Sequence, residues 1–167
     1  SVISYNRTGD GLNIILDKGK MYIRVVNDFV IEVKYSSLAA MPEKKSLVVT
    51  ERAAAPAFRV SEDKNNITLI TARLMVRINR SSNAIVYTDL AGRVILAEAD
   101  RENKTMRDTS VAGIRTYRCS TLFDSPPTEA LFGLGCHPLD SGSINYKGRD
   151  QQMAIKYLTG AIPVLLS

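Results

Sequence analysis

The chain has 167 residues, of which 45% are hydrophobic and 23% are charged. This composition is typical of a globular protein and excludes a disordered or fibrous chain. The net charge of +5 arises from 22 Lys and Arg against 17 Asp and Glu, which are interspersed without a run of five like charges. We therefore expect a mixed, solvated surface around one core and no nucleic-acid partner.

No apolar run approaches the roughly 20 residues that a helix needs to cross a bilayer, so the sequence predicts no membrane partner. No signal peptide is recognisable. The chain begins at Ser1 in strand-like sequence without a methionine, which indicates a trimmed or mature chain. The compartment is left open, with a secreted or periplasmic location favoured.

Strand-like alternation recurs along the chain. Alternating β-branched and aromatic residues predict strands at 14–16, 21–26, 29–35, 67–71, 73–79, 84–88, 94–97 and 114–122. Turn signals separate these runs, at 8–11, 18–19, 27–28, 63–66, 80–83 and 90–92. Short strands at intervals of roughly 8–12 residues predict an all-β, antiparallel sandwich or barrel, and no segment predicts a helix.

Three segments interrupt this pattern. Residues 36–46 read as a long polar connection. Residues 53–57 contain Pro56, which disfavours a helix and suits an edge or linking segment. Pro126 and Pro127 lack amide hydrogens and predict a loop before Leu131. None of these segments indicates an internal domain boundary, so one domain over 1–167 is expected.

The C-terminal region carries the most specific pattern. It reads Leu131-Phe-Gly-Leu-Gly-Cys-His-Pro138, then Ser143-Ile-Asn-Tyr-Lys-Gly-Arg149, and closes with the strand-like Ala161-Ile-Pro-Val-Leu-Leu-Ser167. Glycine within an apolar strand pattern usually marks a bulge or a close backbone approach. We expect one or both at Gly133 and Gly135.

Read in order, these segments resemble the N-terminal domain of glycoside hydrolase family 31, the retaining α-glucosidases and α-xylosidases. Residues 65–98 are similar to that family's pair of hairpins, which ends in a turn before a strand closed by glutamate. The resemblance implies a large galactose-mutarotase-like β-sandwich beside a catalytic (β/α)8 barrel of the same parent chain. It also implies an oligosaccharide or α-glycoside substrate and a sandwich that is incomplete at the C-terminal end of this chain.

Carboxylates for catalysis are not recognisable in this sequence. Retaining glycoside hydrolysis needs two carboxyl groups about 5–5.5 Å apart. The resemblance implies that both are aspartates of the barrel, and the sequence lacks the barrel's alternation of strands and helices. Asp140 and Asp150 read as solvated loop carboxylates. We expect the chain alone to be inactive.

The single histidine, His137, follows the Gly-Leu-Gly segment. No cluster of His, Cys or carboxylate residues accompanies it, so neither a metal nor another cofactor is predicted. A hydrogen-bonded structural histidine is the favoured interpretation, and a cavity-facing residue is the alternative. A sugar epimerase of the mutarotase type, which the resemblance implies would use two histidines, is disfavoured by the single one.

The two cysteines, Cys119 and Cys136, are predicted to be free. Cys136 precedes His137, but consecutive strand residues point to opposite faces, which makes a catalytic Cys-His dyad improbable. In the family that the chain resembles, Glu or Gln usually occupies the place of Cys136. Because a thiol forms weaker hydrogen bonds, whatever that residue organises is expected to be weakened here.

The loop 140–160 is the candidate functional segment. The resemblance implies that this loop reaches over the barrel mouth, where sugars need both polar and aromatic contacts. The residues assigned to this substrate entrance are His137, Tyr146, Lys147, Arg149 and Tyr157, with Gln151 and Gln152 beside them. An ordinary surface loop is an equal alternative. An Asp or Asn contact that the family often has late in this loop is not carried over, because Lys156-Tyr157 stands there.

The composition and the resemblance together leave three candidate functions. The favoured one is the non-catalytic N-terminal sandwich of an α-glycosidase. A free-standing carbohydrate-binding module is disfavoured by the absence of Trp and by an aromatic content of only 7%. A nucleic-acid-binding barrel is disfavoured because the cationic residues are scattered. The incomplete sandwich that the resemblance implies would leave an unpaired strand edge and an apolar face exposed, so self-association of the chain is expected.

Overall fold

The computed structural model describes residues 1–38, 54–136, 145–153, 155 and 160–167. The regular elements of these residues are all β-strands, and every strand pair is antiparallel. No helix that could cross a membrane is found among them. The chain forms two compact units, residues 1–124 and 125–167. The predicted all-β, antiparallel fold is confirmed. The assignment of 1–167 to one domain stays a prediction.

The first sheet is a four-stranded meander in the order β1-β2-β3-β4, formed by Val2–Arg7, Gly11–Leu16, Lys20–Val25 and Ile31–Ser36. Each connection coincides with a predicted turn. At the β2–β3 turn, Gly19 has a φ of +92° and a Cβ there would lie 2.0 Å from the carbonyl oxygen of Ser36. Only glycine fits this position, because it alone combines a positive φ with the absence of a Cβ.

The second sheet begins with a meander of β5 (Arg59–Glu62), β6 (Asn66–Ile70), β7 (Leu74–Asn79), β8 (Ile85–Asp89) and β9 (Val94–Glu98). The chain then makes a separate hairpin before the short strand β12 (Phe123–Asp124) returns to pair with β9. The sheet order is therefore β12-β9-β8-β7-β6-β5.

The separate hairpin consists of β10 (Lys104–Val111) and β11 (Ile114–Thr121). Its two-residue turn, Ala112 and Gly113, has φ values of 50° and 79°. Two positive φ values in succession are typical of a type I′ turn, whose twist matches that of the flanking strands. The outer parts of both strands are exposed to solvent on both faces.

The two sheets of the first unit share one apolar core. Strand β2 shows how the sequence builds it, because Leu12, Ile14 and Leu16 are buried and alternate with the more exposed Asn13 and Ile15. Equivalent side chains come from both sheets: Met21, Ile23, Val25, Phe58, Ile67, Leu69, Val76, Ile78 and Ile85. Side chains of two facing sheets that interdigitate in this way define a β-sandwich.

The second unit contains one strand pair, β13 (Phe132–Cys136) and β14 (Gly160–Leu166). Gly133 pairs with Leu165 but Gly135 pairs with Ala161, so β14 has extra residues at a bulge, and Pro163 lies among them. The φ values of Gly133 and Gly135 are +107° and +100°, and an added Cβ would lie 2.4 Å and 2.0 Å from carbonyl oxygens of β14. The predicted bulge and close approach are both confirmed.

All the strands predicted from alternation are present. The predicted connection at 36–46 and the start of the 53–57 segment lie mostly outside the described residues, and residues 54–57 form no strand. The predicted loop at Pro126 and Pro127 is confirmed. Strands β5, β10 and β12 were not predicted. The polar residues at exposed positions of β5 and β10 produce no apolar alternation, and β12 has only two residues.

Candidate functional site

The residues assigned to the loop can be located only in part. His137, Asp140 and Tyr157 lie outside the described residues. Tyr146, Lys147 and Arg149 lie on the segment 145–153 of the second unit. The assignment of these residues to a substrate entrance therefore stays a prediction, and the local geometry shows what each side chain does within its own unit.

Asn145 anchors the start of this segment. Its side-chain oxygen Oδ1 accepts hydrogen bonds from the backbone amides of Leu131 and Lys147, both at 3.0 Å. The amide of Tyr146 donates to the carbonyl oxygen of Leu131 at 2.8 Å, and Tyr146 is only 9% exposed. Asn145 was not recognised from sequence, although Asn followed closely by Gly148 is a turn signal that could have indicated it.

Lys147 fixes the segment to the diproline loop. Its ammonium nitrogen Nζ donates to the carbonyl oxygens of Ser125 at 3.1 Å and Pro126 at 2.8 Å, and also to the hydroxyl of Ser125. The amide of Arg149 donates to the carbonyl oxygen of Tyr146 at 3.0 Å, which closes a turn. The side chain of Arg149 is exposed. Of the three side chains, that of Tyr146 is buried, that of Lys147 is half-buried and that of Arg149 is the exposed one.

A cavity of about 270 Å³ lies in the first unit. It is bounded by β4, β8, β9, the β10–β11 hairpin and β12. Three aromatic rings, three hydroxyl side chains and one ion pair contribute to its wall; the full lining is Val33, Tyr35, Tyr87, Glu98, Lys104, Thr105, Met106, Cys119, Ser120, Thr121 and Phe123. The exposed residues of this lining are Cys119, Ser120, Thr121 and Phe123.

The ion pair in this wall joins Lys104 to Glu98, whose side chains are 4% and 3% exposed. Glu98 Oε2 accepts hydrogen bonds from Lys104 Nζ and from the amide of Ile85, the latter at 2.8 Å. Lys104 Nζ also donates to the carbonyl oxygen of Asn83 at 3.1 Å. The pair is thus held by the backbone of the β7–β8 connection and of β8.

Burial shifts the titration of this group of residues. It raises the pKa of Glu98 and lowers the pKa of Lys104, while their mutual hydrogen bond and attraction oppose both shifts. Burial also raises the pKa of the Tyr87 phenol, and the nearby charge of Glu98 adds to this effect. The phenol of Tyr87 therefore remains protonated well above neutral pH and can donate a hydrogen bond.

The cavity was not predicted from sequence. Glu98 was noted only as the end of a strand that resembles the family pattern, and Lys104 lies on the unpredicted strand β10. A charged residue that closes an apolar strand is a weak signal of a buried charge. The partner could not be found from spacing, since strand β10 lacks apolar alternation.

The cavity wall offers an ammonium, a carboxylate, hydroxyls and aromatic rings to a ligand. Glu98 is its one carboxylate, whereas retaining glycoside hydrolysis needs two. Within the described ranges, no three His, Cys, Asp or Glu residues group together as metal ligands. Both cysteines are free, as predicted, and both are exposed.

No protein-family model matches the chain. Its fold, however, is shared with solved enzymes of glycoside hydrolase family 31, so the resemblance seen in the sequence is confirmed at the level of fold. Three such structures are an α-xylosidase from Xanthomonas citri, an α-xylosidase from a soil metagenome solved with xylose, and a dextranase from Flavobacterium johnsoniae solved with isomaltotriose.

The similarity covers nearly all of this chain and a small part of each enzyme. The Xanthomonas citri α-xylosidase matches with a TM-score of 0.86 and 23% identity over 96% of this chain and 18% of its own. For the soil-metagenome α-xylosidase the values are 0.80, 15%, 98% and 26%. For the dextranase they are 0.75, 17%, 99% and 21%. The chain therefore spans between 18% and 26% of the length of these enzymes.

Proposed function

We propose that the chain is the N-terminal, non-catalytic β-sandwich of a retaining α-glycosidase that acts in carbohydrate metabolism. In this proposal the sandwich packs on the catalytic barrel of the parent chain, and the loop 140–160 contributes to the substrate entrance. The observation that carries the proposal is the TM-score of 0.86 over 96% of this chain but only 18% of an α-xylosidase. An α-glucosidase or an α-xylosidase is the proposed activity of the parent.

The local geometry supports a positioning role for the loop. Asn145 and Lys147 hold the segment with hydrogen bonds inside the second unit, and the segment presents the exposed side chain of Arg149. An arginine on a fixed backbone loses little conformational entropy when it binds a sugar hydroxyl, because the backbone is already ordered.

The first experiment separates the chain from its parent. The purified 167-residue chain is assayed with aryl α-glucosides and aryl α-xylosides, and we expect no turnover above background. The reading frame beyond the codon of Ser167 is sequenced in parallel, and we expect a barrel with two catalytic aspartates. Turnover that is lost in Asp150→Asn, or a stop codon directly after Ser167, would contradict the proposal.

The second experiment tests the loop in the parent enzyme. Arg149→Ala is expected to raise KM about tenfold with a smaller change in kcat, because the substrate loses one hydrogen bond to a charged group. Arg115→Ala is the matched control, because Arg115 is an exposed arginine of the β10–β11 hairpin that pairs with Asp108. Equal kinetics for the two variants would remove Arg149 from the substrate entrance.

A further inference from the structure

The cavity is lined by residues of the first unit alone, and the proposed function does not use it. Its wall combines the rings of Tyr35, Tyr87 and Phe123 with a buried ion pair. Aromatic rings offer flat apolar surface, while the charged groups and hydroxyls offer hydrogen bonds of high directionality. A ligand that matches this wall has both an apolar face and several hydroxyl groups.

The ion pair retains hydrogen-bonding capacity. Lys104 has three N–H donors, and the hydrogen bonds among the described residues use two of them, to Glu98 and to Asn83. Both hydrogen bonds to Glu98 end on Oε2, so Oε1 can accept another donor. An ammonium donor beside a carboxylate acceptor is complementary to two neighbouring hydroxyls, since each hydroxyl can donate and accept.

Further polar groups surround this pair. Tyr87 stays protonated, and the hydroxyls of Thr105 and Ser120 lie 2.6 Å apart in the cavity wall. Phe123 lines the cavity and is 48% exposed, so its ring offers apolar surface to a ligand.

The size of the cavity limits its ligand. Pockets for drug-sized molecules hold roughly 300–1,000 Å³. The volume of about 270 Å³ lies just below that range and suits one small ring rather than an oligosaccharide.

We propose that this cavity binds a single neutral pyranose, with its hydroxyls on Lys104 and Glu98 and a ring face on Phe123. The site is independent of the proposed function, because the whole cavity lies within the first unit. A missing barrel or an inactive parent would leave it unchanged. Affinity is expected to be millimolar, since one ring offers few contacts against the cost of association.

The test is a titration of the ¹⁵N-labelled chain followed by amide NMR. D-xylose and D-glucose are the probes, and glycerol is the control ligand because it has hydroxyls but no ring face. We expect saturable shifts for β9, β10 and β11 with at least one sugar and none with glycerol. No saturable shift at about 0.1 M sugar, or shifts confined to the segment around Arg149, would overturn the proposal.

Two variants locate the contact. Phe123→Ala is expected to weaken binding about fivefold through the loss of apolar contact. The matched control is Phe29→Ala, at an exposed position of the β3–β4 turn, which is expected to leave the affinity unchanged. The double variant Glu98→Gln with Lys104→Met removes both charges together and is expected to abolish saturable shifts. Unchanged affinity in Phe123→Ala overturns the proposal by itself, whether or not the double variant folds.

Discussion

The two compact units of the chain are stabilised by different means. In residues 1–124, two sheets bury a shared cluster of aliphatic side chains and one ion pair. In the described part of 125–167, Tyr146 is the buried large side chain, and four apolar residues of β14 are between 52% and 60% exposed. Hydrogen bonds accepted by the Asn145 side chain and donated by the Lys147 side chain take the place of a core there. Because a hydrogen bond adds only about 0.5–1.5 kcal/mol net, the second unit is expected to be the less stable one.

The largest effect is expected when the buried charge of the first unit loses its partner. Lys104→Met leaves Glu98 buried without its ammonium and is expected to cost about 3–5 kcal/mol at neutral pH. Replacing both residues, with Glu98→Gln and Lys104→Met, is expected to cost far less, because no unpaired charge remains. Urea denaturation followed by far-ultraviolet circular dichroism measures both, and equal costs would show that side-chain packing, not charge pairing, dominates at this site.

The next effect concerns the aliphatic core. Leu69→Ala is expected to cost about 2–5 kcal/mol, since it removes fully buried methyl groups and leaves a cavity. The control Ile95→Ala, at an exposed position of β9, is expected to change stability by no more than about 0.5 kcal/mol. A cost for Ile95→Ala similar to that for Leu69→Ala would mean that another surface covers β9 in solution.

A smaller effect is expected in the second unit. Asn145→Ala removes the acceptor of two backbone hydrogen bonds and is expected to cost about 1–2 kcal/mol. The loss should be local: amide hydrogen exchange of Leu131 and Lys147 should become faster while the amides of β2 and β3 keep their protection. Asn13→Ala, on an exposed position of β2, is the matched control. Faster exchange throughout both units would contradict the distinction between them.

The smallest effect is a difference in acid sensitivity. Asp63 accepts the backbone amides of Asn65 at 2.7 Å and Asn66 at 2.8 Å, and these hydrogen bonds hold its pKa below the ordinary 3.8. A folded-state pKa below the unfolded one stabilises the fold above about pH 3.8, and this contribution is lost as the pH falls through the lowered value. The neutral amide of Asn145, which plays the same part in the second unit, does not titrate.

Two exchanges test this difference. Asp63→Asn should reduce the loss of unfolding free energy between about pH 5 and pH 2.5. Asn145→Asp should make protection of the Leu131 amide newly dependent on pH in the same range. An unchanged acid profile in Asp63→Asn would show that other carboxylates, such as Asp17 and Asp89, whose pKa values are also lowered, account for acid unfolding.

The candidate sites were predictable to different extents. The loop was located through Gly133, Gly135 and the Asn-Tyr-Lys segment, but the sequence could not tell that Tyr146 is buried or that Lys147 binds backbone carbonyls. Those contacts join residues 15 or more positions apart, such as Tyr146 with Leu131 and Lys147 with Ser125. The ion pair of the cavity was missed because it joins the end of the predicted strand β9 to the unpredicted, polar strand β10.

Local chemistry in the sequence determined the strands, the turns and the all-β class, because alternation and the conformations of Gly, Asn and Pro act over a few neighbouring residues. The close approach of the β13 backbone to β14 at Gly133 and Gly135 was predictable for the same reason. Only the tertiary structure decided that β12 returns to pair with β9 after the β10–β11 hairpin and that Glu98 and Lys104 form a buried ion pair in the cavity wall. Such pairings depend on how whole sheets stack to bury their apolar faces, and no short stretch of sequence records that choice.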